Sequence, residues 1–488
     1  MNQDVCRCYR YAAPISMLVV LSILLLLLSA LADDARGWLL KAQQHFQRQQ
    51  WEKSRQAAAK ALEIDPTLGD AEVILGLIAT MRSDFSEAEK HFLRAVSFEP
   101  RNPRTHAYLG STYLQEKRLD AAARSFGKVL ELDPGNSAAR YNLGLVALAA
   151  DRPGEALGHF EHVLEAHPRD AEALIGVIES QLLVKRDPEA ANSARQLHAL
   201  LPPKDPRLLQ VARLLAMHDS YEAAAQILAQ FHSAEALNLL GAVEERRSRV
   251  PESLAAFRQA AELQPRNEGY RFDYAGALLQ YRNDEAALRA FQQGVQEFPK
   301  SWKMRLGLGS ALYLAGKYEE AARALLEAVR IEPSAAPAYY LLGHAYESAS
   351  SRQKEILAAF QAYLSKKPND AWAYYHYGYM LYLLSQNEGQ DTVALAKTHL
   401  RKALELNPSF PEALLQLGVM ADSDEEGIQL FERAVRLNPK LALAHYRLGL
   451  AYQRLGNAEK AKEQVDLFRK LKAEDVEAQR RSVLESLR

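Results

Sequence analysis

The chain has 488 residues, 48% hydrophobic and 25% charged, a balance that excludes an intrinsically disordered protein. Its formal net charge is −1 and no basic stripe stands out, which argues against a protein built to grip phosphate backbones. Length alone suggests about three domains, but that measure fails for repeat proteins, which grow without adding separate cores.

The first element is a leader. Arg7 and Arg10 precede an apolar run from Leu18 to Leu28, followed by Ala30-Leu31-Ala32 and Asp33-Asp34. A basic start, an apolar centre and a small-x-small site form the pattern of a secretory signal cleaved between Ala32 and Asp33. The alternative is an uncleaved anchor: Ala12 to Ala32 counts 21 mostly apolar residues, and about 20 span a bilayer. On either reading residues 1–32 carry the rest of the chain across the cytoplasmic membrane, because the arginines stay on the cytoplasmic side. The expected location is periplasmic, secreted or membrane-anchored. Both cysteines, Cys6 and Cys8, lie before the apolar run, so the chain beyond Ala32 can form no disulfide and offers no thiol nucleophile.

Beyond the leader the sequence repeats itself. Prolines recur every 34 residues at Pro66, Pro100, Pro134, Pro168 and Pro202, and again at Pro265, Pro299 and Pro333. The spacing loosens at Pro368, Pro408 and Pro439. A glycine stands 24 residues before several of these prolines (Gly76, Gly110, Gly144, Gly241, Gly309), and an alanine 12 before (Ala88, Ala122, Ala156, Ala190, Ala287, Ala321). In residues 103–136, Tyr108, Leu109, Thr112 and Tyr113 fall at helical spacing, and Lys117-Arg118 lead into a turn. Asp120 is expected to cap the next helix, along which Ala123, Phe126, Val129 and Leu130 recur every three or four residues. Pro134 ends it, since proline restricts the residue before it and has no N–H to donate. One unit is therefore helix–turn–helix, with the Gly and Ala positions where the two helices touch.

The run Gly110, Tyr113, Ala122, Phe126 and Pro134 resembles the signature of the tetratricopeptide repeat, and the match recurs over nearly all of Asp33 to Asp475. The resemblance implies an all-α fold. It would be an α-solenoid, a right-handed superhelix of about 12–13 repeats, with a concave groove that binds peptides or protein partners. The family's well-known clamp for a C-terminal carboxylate uses Lys, Asn and Arg on successive first helices. The corresponding positions here include Leu39, Gln43, Val73, Leu77 and Ala107, so a binder of that type is not expected.

The spacing divides the chain further. Residues 33–202 hold five repeats. Residues 203–233 are a degenerate repeat or joint, in which the closing proline and about five residues are lost. Residues 234–475 hold seven repeats, with an insertion, SQNEGQDT, near 385–392 between the helices of one unit. The charged tail 476–488 suits a polar cap on the open end of the stack. The acidic turn Asp422–Gly427 lacks the ligand spacing of an EF-hand loop, and Ser423 with Glu426 fits a capping box instead.

No catalytic or nucleotide motif appears, and the repeats leave no segment for a catalytic domain. His159, His162 and His167 cluster within nine residues but flank the packing positions Phe160, Val163 and Leu164, so no metal site is assigned. No cofactor is expected. The leading reading is a non-enzymatic scaffold or adaptor for protein segments, without nucleic acid. The alternative is an accessory subunit that positions an enzyme, or a part of envelope export or assembly such as secretion or polysaccharide export.

The richest candidate surface is AWAYYHYGYMLYLL, residues 371–384. Gly378 marks it as a first helix. Tyr374, Tyr377 and Leu381 take core positions, whereas Trp372, Tyr375, Tyr379 and Tyr382 share a second face. The preceding first helix places Tyr340 and His344 at equivalent positions. This second face is either a stacking surface between neighbouring first helices or a ligand surface in the groove, where Tyr and Trp offer large contact area with a polar tip.

Overall fold

The computed structural model describes residues 35–388, 392–472 and 475–487. The leader 1–32, with its Ala32–Asp33 junction, and residues 389–391 of the insertion lie outside them. The described residues form helices and turns, and they divide into two compact units, the first ending at Gln230 and the second beginning at Phe231. None of the described helices is long and apolar enough to cross a membrane.

The first unit is six helical hairpins, from the helix at 35–47 with Trp51–Ile64 to Pro206–Met217 with Tyr221–Leu228. The second is seven hairpins, from Ala234–Arg246 with Val250–Leu263 to Ala442–Arg454 with Ala458–Lys472, followed by a last helix, Asp475–Glu485. Each unit is a solenoid in which a helix packs against the helices before and after it.

The turn inside most of the hairpins is built on one residue in the left-handed region. These are Gln49, Ser83, Lys117, Asp151, Lys185 and Asp219, each 34 residues after the last, then Ser248, Arg282, Gly316 and, in the last hairpin, Gly456. The step from Asp219 to Ser248 is 29, which is the five-residue loss seen in the sequence. It falls in the second helix of the Pro206–Leu228 hairpin, which has 8 residues where its neighbours have 14. Because the turn consumes a left-handed residue at Lys117, the following helix starts at Leu119 with Arg118 as its cap. Asp120, expected as the cap, sits instead inside the first turn, where its charge still favours the helix N-terminus. Ser423 does cap: its Oγ accepts from the Glu426 N–H at 3.2 Å, while the Glu426 carboxylate reaches back to the Asp422 N–H.

The glycines are where an aromatic ring of a second helix lies on a first helix. A Cβ at Gly144 would fall 2.6 Å from the Phe160 ring of its own hairpin, and a Cβ at Gly176 would fall 2.8 Å from the other side of that ring. Phe160 is thus held between two successive first helices, with none of its surface exposed. The same ring-on-glycine contact recurs at Gly76 with Phe92, Gly110 with Phe126, and Gly241 with Phe257. Where the glycine is Gly309 the partner is Leu325, and Gly307 meets Phe291 of the hairpin before it.

The insertion does not form a loop throughout. The first helix of its hairpin continues through Ser385 to Glu388, giving 18 residues where no other first helix among the described residues from Gly69 on has more than 13.

Gly144→Ala should destabilise the chain by about 1–3 kcal/mol, because Phe160 has glycine backbone on both sides and nowhere to retreat. Gly158→Ala, in the same hairpin but with nothing within 4 Å of the added Cβ, should instead be neutral or stabilising by up to about 1 kcal/mol. Urea unfolding of the two variants beside the parent checks the pair.

Candidate functional site

The site lies in the second unit, on the first helices Trp302–Leu314, Ala336–Ala345 and Ala371–Glu388. Helix Ala371–Glu388 forms because Asp370 caps it, accepting from the Ala373 N–H at 3.0 Å, and it is apolar almost all round. One side meets its own second helix. Tyr374 stacks on His399 at 5.7 Å, Tyr377 meets the same ring edge-on at 4.9 Å, and a Cβ at Gly378 would touch Leu400. Tyr377 and Leu381 are buried, and Tyr374 is half-buried.

The second face splits. Tyr375 is buried, 5.1 Å from the Phe410 ring that opens the next hairpin, and burial pushes its phenol well up. Trp372 also touches Phe410, at 4.6 Å, yet stays 43% exposed. Tyr379 is half-buried and donates to Glu347 at 3.2 Å; burial first, then the Glu347 charge, push it up to about 12. Tyr382 is half-buried against the core. So the stripe is partly a stacking surface, through Tyr375, and partly open, through Trp372.

Tyr340 and His344 do join Trp372. Tyr340 lies 4.5 Å from His344 and 5.7 Å from Trp372, each edge-on. At the centre is His376, a residue that the sequence reading passed over although it lies four after Trp372 on the same helix face. Its ring is stacked at 5.9 Å on Trp372 and stands 5.1 Å from His344. It is 3% exposed, because it packs on the bare backbone of Gly343, and its Nε2 has no hydrogen-bond partner among the described residues. Burial holds its imidazole well below its usual range, and the neighbouring His344 lowers it further. Tyr340, Trp372, His376, Tyr363 and Asp370 line a cavity of about 510 Å³, bounded on one side by Ser482 and Glu485 of the last helix.

The histidines of the first unit are not gathered in this way. His162 and His167 are exposed, and His159 is half-buried. The first two of the cluster pair with glutamates of their own helix, His159 with Glu155 at 3.8 Å and His162 with Glu165 at 3.2 Å. Asn142 bonds its own helix at the Ala138 carbonyl, whereas Asn238 reaches Asp273 on the next first helix at 2.9 Å.

Stacked helical hairpins repeated in this way are the architecture of a protein–protein interaction scaffold. Family models described as tetratricopeptide repeat match residues 75–137, 113–175 and 443–474, and one described as TPR repeat matches 309–349 and 423–456. The chain is a tetratricopeptide-repeat protein. Over 99 residues it is 39% identical to a protein of Pseudomonas putida described as a probable biofilm formation methyltransferase, WspC. That match covers 20% of this chain and 22% of the relative, so the chain spans about a fifth of the relative's length. Among solved structures it is similar to a tetratricopeptide repeat protein from Parabacteroides merdae, with 16% identity, coverage of 50% and 98% of the two chains, and a TM-score of 0.38. It is also similar to Pseudomonas aeruginosa pilF, with 21% identity, coverage of 50% and 96%, and a TM-score of 0.33. A third is the Cut9–Hcn1 structure, with 17% identity, coverage of 91% and 88%, and a TM-score of 0.35.

The buried His376 gives a signed pH dependence. It is neutral in the folded chain and protonates near 6.5 once unfolded, so below that pH the unfolded state binds more protons. Its contribution to stability is complete above pH 6.5 and falls with pH, by at most about 1.4 kcal/mol per unit. His344, His159 and His399 shift in the same direction, so the parent alone is not diagnostic. Melting curves between pH 7.5 and 5 should show a shallower decline for His376→Gln than for the parent.

Proposed function

We propose that the chain is a non-enzymatic adaptor that acts outside the cytoplasmic membrane and binds a protein segment on the first-helix face of its second unit. The observation that carries this is the open, ring-lined cavity beside Trp372. A tryptophan left 43% exposed offers a partner apolar area, and Tyr340 beside it adds a hydroxyl. The unpartnered Nε2 of His376 suits a partner hydroxyl or amide reaching into the cavity, since leaving a buried polar atom unpaired costs about 1–3 kcal/mol. The location rests on the pattern of residues 1–32, whose cleavage after Ala32 would make Asp33 the first residue of the exported chain.

The decisive test is a photo-crosslinking residue at position 372 in the native cell, with one at the exposed Leu263 as control. A defined protein should be captured from position 372 and not from 263. Trp372→Ala should then weaken the purified pair by about 2 kcal/mol while the melting temperature moves little. Equal capture from both positions would sink the proposal. A stoichiometric enzyme as the captured partner would make the chain an accessory subunit that positions it.

N-terminal sequencing of the protein recovered outside the membrane should begin at Asp33; a start upstream of Ala12 would mean an anchor instead.

A further inference from the structure

The tail expected as a polar cap does something else. Its helix, Asp475–Glu485, does not stop at the hairpin Ala442–Lys472 that precedes it. It reaches back across first helices far earlier in the second unit. The Arg480 guanidinium donates to the Leu279 carbonyl at 2.7 Å and to both carboxylate oxygens of Asp284, at 2.7 and 3.3 Å. These acceptors lie 201 and 196 residues upstream, one at the end of a first helix and one at the start of its partner, where Arg480 is itself only 14% exposed. Ser482 hydrogen-bonds the Tyr340 hydroxyl. Val483 is 2% exposed, inside the core that contains Leu341 and Tyr339. Leu484 and Leu487 pack against the core that contains Leu278, Leu279 and Met304.

Of the four anchoring residues, Arg480, Val483 and Leu484 follow the offsets 0, 3 and 4, one face of the helix, and Leu487, in the turn just past Glu485, continues that spacing at 7. Arg481 and Glu485, off that face, are exposed. The segment therefore has the form in which a groove reads an amphipathic helix, with apolar anchors on one face and a charge at its edge. It also forms a wall of the same cavity as Trp372 and His376.

We infer that the last helix is an internal occupant of the groove of the second unit, and that it shows what the groove takes: a short amphipathic helix with a basic residue followed by apolar residues three, four and seven positions on. The inference rests on the groove reading above and gives it a partner chemistry. An external segment of that pattern competes with the tail, which, being tethered, acts at an effective concentration of about millimolar.

The test uses the full chain with Arg480→Glu and Val483→Asp, which frees the tail, and a fluorescent synthetic peptide of residues 475–488. The native peptide should bind the freed chain saturably and bind the parent at least about 10-fold more weakly, because the tethered tail holds the groove. A peptide carrying R480E and V483D should lose at least about 10-fold in affinity. Adding Asp284→Arg to a chain freed by Val483→Asp alone should weaken the native peptide and restore a peptide with Arg480→Asp. Circular dichroism at the assay temperature separates a freed tail from an unfolded unit. Native peptide that binds neither folded chain, or both equally, overturns the inference, and so does a charge swap without rescue. If the peptide fails while position 372 still captures a partner, the groove reading stands without this inference. If the peptide binds and position 372 captures nothing, the inference stands and the external adaptor reading falls.

Discussion

The structure depends on one contact made many times, a phenylalanine of a second helix laid on the bare backbone of a first. Phe160 shows what it achieves. With Gly144 on one side and Gly176 on the other, a single ring fixes the distance within its own hairpin and the distance to the next. Burying a side chain of this size stabilises by roughly 1.5–3 kcal/mol. That is modest alone, but the contact recurs at regular spacing, and at Gly176 and Gly307 the rings of Phe160 and Phe291 also meet the next first helix. The order of first helices, and hence any surface they share, follows from this spacing. It also explains why Leu325 can stand in at Gly309: the demand is for apolar volume over a small residue and not for aromatic chemistry.

This is why so much of the fold was legible in the sequence. Ring, glycine and closing proline are periodic, and a period of 34 residues survives in plain text. The helix pair at 205–233 was visible without its proline because its apolar spacing persists, and the five missing residues could be counted before their place was known. The cap at Asp120 was not legible, because the hairpin turn spends a left-handed residue at Lys117, and propensity gives no warning of positive φ at a lysine. The insertion was placed between the helices of its unit, and its first part, Ser385–Glu388, continues the first of them, because helix Ala371–Glu388 carries enough buried apolar surface to extend into it.

The candidate site was half legible, for a related reason. A helix apolar on every side tells the reader that it is covered and not by what. Tyr375 and Trp372 lie three residues apart on the same face and both touch Phe410, but only Tyr375 is closed over. That difference is set by where the next hairpin begins, which no periodicity specifies. His376 was within reach of the pattern, four residues from Trp372, but a polar residue among tyrosines does not announce burial. It is buried because Gly343 on the neighbouring first helix removes the Cβ that would otherwise hold its ring away.

The last helix could not be read from its neighbours at all. Its sequence is charged enough to pass for a solvated end, and its contacts lie some 140–200 residues upstream, at Tyr340, Asp284 and Leu279. What the sequence does contain is the stripe Arg480, Val483, Leu484, Leu487, which runs along the last helix into the turn after it and has no partner of its own in the repeat. In a solenoid, each hairpin's apolar faces are used up by the hairpins beside it. A helix that comes after the stack and still carries such a face must find cover elsewhere, and the uncommitted apolar surface is the one that Tyr340 and Trp372 leave open. The same exposure that makes the first helices fit to hold a partner makes them fit to hold the chain's own helix. Whether a partner gains entry is then a matter of its affinity against the tether, not of whether the surface exists.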